Sequence, residues 1–145
     1  MAHDVPIKSA EELEMARQAG RLAAEVLAMV APYVVPGVST EKLDQICHDH
    51  IVNVQGAPPA NLGYQGYPKT ILTSINQVVC HGIPSPDKTL KKGDIINIDV
   101  AVNKDGWFGD TSRVYFVGTP SVLARRLDCA LIALPDGIFW LPDAL

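Results

Sequence analysis

Two aspartates, Asp99 and Asp110, carry the clearest chemical signal. They stand in DIINIDVAVNKDGWFGDTSRVYFVG, inside two apolar runs that alternate with the period of β-strands. In the first run Ile96, Ile98, Val100 and Val102 share one face, and Ile95, Asn97, Asp99 and Ala101 share the other. An aspartate in mid-strand is disfavoured. In the second run Phe108, Asp110, Ser112, Val114 and Phe116 share a face. A Lys104-Asp105 tip would set Asp99 directly opposite Asp110. An Asp105-Gly106 tip would pair Asp99 with Ser112 and leave Asp110 its diagonal neighbour. A three-residue tip would split the two unless a bulge, with Gly109 the candidate, restored the register. Two carboxylates that close repel each other, and neither has an Arg or Lys beside it on that face of these strands. A divalent cation resolves the conflict, because hard carboxylate oxygens suit such ions and the ion favours both ionised forms.

Other chemically suggestive groups are weaker. Cys47-His48-Asp49-His50 has the look of a ligand cluster, but positions i and i+2 on a helix diverge by about 200°, so His48 and His50 cannot grip one ion. Cys80 and His81 read as neighbours on a strand, pointing to opposite faces, and so do not make a nucleophile and base pair. No GxSxG, P-loop or GxGxxG occurs.

The elements that must position these residues are legible in outline. Ser9 and Glu12 form a capping box, after which Leu13, Ala16, Ala19, Leu22, Ala23, Val26, Leu27 and Val30 recur at helical spacing, predicting a helix over about 10–31. Pro32, Pro36 and Gly37 end it. Ser39 or Thr40 caps a second helix with the stripe Leu43, Ile46, Cys47, His50, Ile51 and Val54. A Gly/Pro/Asn-rich stretch comes next, then strand-like runs KTILTSI, QVVCHG, DIINIDVAV and TSRVYFV. Helices first and antiparallel strands after give an α+β class. The last stretch, DCALIALPDGIFWLPDAL, follows neither period.

Composition sets the limits. At 145 residues with 48% hydrophobic and 19% charged residues, the chain can bury a core and is not a disordered polymer. Twelve Lys+Arg against sixteen Asp+Glu give −4, with no basic block, which argues against direct nucleic-acid binding or an anionic membrane surface. The start lacks a secretory plan and no run reaches membrane-spanning length, so a cytoplasmic protein is expected. Three cysteines without paired short spacing encode neither a disulfide framework nor a zinc knuckle.

Taken together, GVSTEKLDQICHDHI, NLGYQGYPKTILTSINQVVCHGIPS, LKKGDIINIDVAVNKDGWFGDTSRVYFVG and TPSVLARRL resemble the N-terminal half of the type I methionine aminopeptidases, within the creatinase/aminopeptidase superfamily and its pita-bread fold. The resemblance covers about residues 8–127. It implies a hydrolase that removes the initiator methionine from nascent polypeptide N-termini at the ribosome, using two divalent ions (Co, Mn, Fe or Zn). It further implies Asp99 as a bidentate metal ligand, Asp110 as the bridging ligand, and His81 as a catalytic histidine that contacts substrate. Tyr64, Tyr67 and Cys80 are implied to line the methionine pocket. The family's centre also uses a histidine and two glutamates, whereas this sequence has no His after His81 and no Glu after Glu41. The expectation is therefore a catalytic half over 1–127 and a divergent tail over 128–145, of the kind a frameshift or premature stop leaves. Such a chain should have little activity alone and should self-associate through an uncovered half-core. A non-catalytic remnant acting as a binding or regulatory module is the alternative.

Overall fold

A computed structural model describes residues 7–126. Helix α1 spans Ala10–Val30, and its start is fixed by both arms of the capping box: the Ser9 hydroxyl accepts from the Glu12 N–H at 3.2 Å, and the Glu12 carboxylate accepts from the Ser9 N–H at 2.7 Å. A short 3₁₀ turn, Ala31–Tyr33, carries the chain around Pro32 to α2, Thr40–Asp49, capped by Ser39. The helix then widens into a π turn over His50–Val54. That turn rotates its later residues out of the apolar stripe, so Leu43, Cys47 and Ile51 are buried while Val54 is 71% exposed. In α1 the buried run begins only at Ala19, and Leu13 stays 43% exposed.

Three antiparallel strands come after the helices in the order β1-β2-β3: β1 Ile71–Ile75, β2 Ile95–Lys104 and β3 Trp107–Phe116. β2 and β3 are joined by Asp105-Gly106, both at positive φ (52° and 89°), the conformation a two-residue type I′ hairpin demands. Ile96, Ile98, Val100 and Val102 point to the helix side and are fully buried with Val26, Val30, Leu43 and Ile51. The Tyr115 hydroxyl crosses this layer to donate to the Leu27 carbonyl at 2.7 Å.

α1 lies close on β3, and Gly109 is the reason it can. A Cβ at Gly109 would fall inside the carbonyl of Ala19 and against the Gly20 amide. The glycine is therefore no bulge: it pairs regularly with Val102, and its missing side chain makes room for the helix backbone.

QVVCHG, a strand by its residue types, is a loop. The chain turns at Asn76 (φ 52°) and runs back so that the Gly82 carbonyl accepts from the Thr73 N–H at 2.7 Å. Among the described residues this is the one backbone–backbone bond that pairs the loop with β1 as a strand neighbour would, and Val79 is left 88% exposed. β-branched residues favour a pleated, half-buried surface, and here no such surface faces them.

Candidate metal centre

The register decides where the two aspartates stand. Asp99 pairs with Ser112 and Ala101 with Asp110, so the carboxylates are diagonal neighbours on the sheet face turned away from α1 and α2. Of the registers open to the sequence, this is the one with the Asp105-Gly106 tip. Leu72 and Ser74 of β1 complete the face, opposite Asp99 and Asn97.

Asp99 is half-buried and Asp110 exposed, and the register makes them diagonal neighbours on one face. Burial first, then the negative charge of Asp110, pushes the Asp99 carboxyl up to about 6, with His81 pulling in the opposite direction. The repulsion read from the sequence is thus present in the fold, and His81 is the nearby group that opposes it. His81 itself sits in the 76–82 loop with a left-handed backbone (φ 55°), not on a strand as its sequence context suggested.

The remaining sequence-picked residues divide. Tyr67 is half-buried, and its phenol is pushed up to about 12, chiefly by burial and then by the charges of Asp44 and Asp99. Its hydroxyl faces backbone, donating toward the Ile71 carbonyl at 3.0 Å and the Gly82 carbonyl at 3.3 Å. Tyr64 is 67% exposed, and its hydroxyl accepts from the Gln65 amide at 3.3 Å. Cys80 is exposed beside His81, and no hydrogen bond among the described residues brings it to the aspartates. His48 bonds through Nδ1 to the Thr70 hydroxyl at 2.8 Å, tying α2 to β1 and taking no part in the centre.

Sequence reading missed two neighbours. Ser74 is buried on the site face and accepts from the Gly82 N–H at 3.3 Å. Asn97 stands on the face predicted for it, but its buried Oδ1 has no partner among the described residues. The period-2 pattern of KTILTSI held the signal for Ser74, and only the pairing with β2 shows which of its faces is the site's.

The donor set fits a divalent ion in kind, because two carboxylates in mutual repulsion are what such an ion relieves. It fits only as part of a coordination shell: among the described residues no group of three or more His, Cys, Asp or Glu converges on one point.

The profile of metallopeptidase family M24 matches residues 14–138. The chain belongs to metallopeptidase family M24. The methionine aminopeptidase of Escherichia coli (strain K12) is 60% identical over 123 residues, which are 85% of this chain and 47% of that protein. The crystal structure of methionine aminopeptidase from Rickettsia prowazekii superposes with a TM-score of 0.84 at 47% identity, covering 89% of this chain and 53% of that one. An Xaa-Pro dipeptidase from Bacillus anthracis superposes at 0.73 with 21% identity, covering 87% of this chain and 34% of that one, a likeness of fold alone. The α+β reading is borne out, and the described residues form a partial pita-bread fold. The M24 chain spans about half the length of the curated relatives it matches. The matched span runs past Leu127 into the stretch read as a divergent tail, which lies outside the described residues.

Proposed function

We propose that this M24 chain carries part of a methionyl aminopeptidase that acts in the cytoplasm on the N-termini of nascent polypeptides at the ribosome. The observation that carries the reading is the Asp99–Asp110 pair, set by the hairpin register inside a segment 60% identical to a methionine aminopeptidase. In this reading Asp99 and Asp110 hold two divalent ions of the Co, Mn, Fe or Zn class. When bound, those ions supply an activated water and polarise the scissile carbonyl. The chain's own residues bind and orient. The aspartates offer oxygen ligands from a rigid hairpin, His81 presents its ring beside Asp99 toward the peptide, and Tyr64, Tyr67 and Cys80 face the methionine side chain.

Two carboxylates leave most of an ion's coordination to water, so metal affinity and turnover of this chain alone should be low. The test is release of Met from a Met-Ala-Ser peptide with Co(II), Mn(II) or Fe(II), comparing the chain with Asp110→Ala. Metal-dependent release that the variant loses supports the reading. Absence of release together with saturable capture of a partner would favour the binding module.

A further inference from the structure

We propose that the hydroxyls of Tyr67 and Ser74 clamp the backbone of Gly82 and so fix where His81 stands beside Asp99, making both of them positioning residues for the candidate site. The consequence for catalysis rests on the aminopeptidase reading; the clamp itself does not.

His81 is exposed and lies on a loop, and its ring makes no hydrogen bond among the described residues. Its position is therefore inherited from the backbone next to it. That backbone is held at three points. The Gly82 carbonyl accepts from the Thr73 N–H at 2.7 Å, the same carbonyl accepts from the Tyr67 hydroxyl at 3.3 Å, and the Gly82 N–H donates to the Ser74 hydroxyl at 3.3 Å. The Tyr67 hydroxyl also points to the Ile71 carbonyl at 3.0 Å, so its single proton bridges the first residue of β1 and the loop. Gly82 is shaped for this seat, since a Cβ there would fall inside the Thr73 carbonyl. The Tyr67 hydroxyl is thus committed to backbone. Tyr64, whose hydroxyl meets only Gln65 among the described residues, has no such tie.

The experiment uses the isotope-labelled full chain with Tyr67→Phe, Ser74→Ala and, as control, Tyr64→Phe. Amide exchange at Gly82 and Thr73 should quicken roughly 3- to 10-fold in the first two variants, the factor set by losing one neutral hydrogen bond. The Ile98 amide, in the sheet centre, should keep its rate and so report that global stability is intact. In the parent chain the His81 ring resonance should move when Asp99→Asn is introduced, and that response should be lost on the Tyr67→Phe background. Unchanged Gly82 exchange with an intact His81 response in both clamp variants overturns the proposal, as does an equal effect from Tyr64→Phe. If Tyr67→Phe does not fold, Ser74→Ala carries the same readings. Failure of the parent chain to release methionine would count against the aminopeptidase reading and leave both readouts of the clamp standing.

Discussion

At the scale of single residues, the fold is governed by a few atoms whose presence or absence has a calculable effect. Asp99 is one. Its carboxyl, raised from 3.8 to about 6, holds a proton more tightly in the folded chain than in the unfolded one. The stability this contributes is complete below the unfolded value and is lost as pH rises through about 6. The urea midpoint of metal-free protein should therefore fall between pH 4 and 7 in step with Asp99 ionisation. Asp110→Asn should reduce that slope without abolishing it, because burial is the larger cause of the shift. A steeper or unaltered slope in the variant would show that Asp110 is not the neighbour that matters. Gly109 is the opposite case, an atom that must be missing. Gly109→Ala should cost about 3 kcal/mol, near the upper end for a forced overpacking, since the obstacle is helix backbone that cannot swing away. Gly20→Ala, one residue past the contact and with open space around a Cβ, should instead stabilise by about 0.5–1 kcal/mol. Thermal melts of the two variants check both signs.

At the scale of elements, a buried carboxylate holds the junction between α2 and β1 alongside the His48–Thr70 bond. Asp44 accepts from the N–H groups of Thr70 and Ile71, each at 2.9 Å, and the Lys69–Glu41 ion pair closes over it. Burial raises the Asp44 carboxyl even against those two donors. Asp44→Ala would strand two N–H groups at the head of β1, costing about 2–3 kcal/mol by denaturant unfolding, whereas Asp44→Asn keeps an acceptor and should cost less. An equal cost for the two would mean that the hydrogen bonds contribute nothing. Much at this scale was written in the sequence. The Ser9/Glu12 box placed the start of α1, and Asp-Gly at 105–106 was one of the tips from which the diagonal pairing of the aspartates follows. These signals are local, each a side chain acting on backbone within a few residues. QVVCHG was misread because strand propensity is a property of the surface a segment meets, and nothing within six residues reveals that Val79 meets none. The same blindness hid the seats of Gly109 and Gly82, whose neighbours Ala19 and Thr73 are close only in the folded chain.

At the scale of the whole molecule, the described residues close the helix side of the sheet and leave apolar groups exposed on the site side. Phe108 is 64% exposed, Val114 and Phe116 are half-buried on the Asp99 face, and Val79 and Tyr64 add apolar surface on the nearby loops. The helix-side layer is covered, and Ile96, Ile98, Val100 and Val102 have no exposure at all. Composition could not separate the two layers, because a hydrophobic fraction carries no face. Exposed apolar surface of this kind drives association. Light scattering should give a mass above 15.6 kDa that rises with protein concentration, and Phe108→Ser with Val79→Ser should lower it. A monodisperse monomer across the concentration range would refute the expectation.

The two-residue turn between β2 and β3 also sets an order of events in folding. Asp99 and Asp110 are near neighbours along the chain and meet as soon as the hairpin closes, a step on the scale of roughly 1–10 μs. Ala19 must arrive from the far end of the chain to cover Gly109, and long loops close late. Carboxylate repulsion therefore acts on the hairpin before α1 packs against β3. A proton or a divalent ion that quiets the pair acts on how fast the native state is reached as well as on how deep it lies.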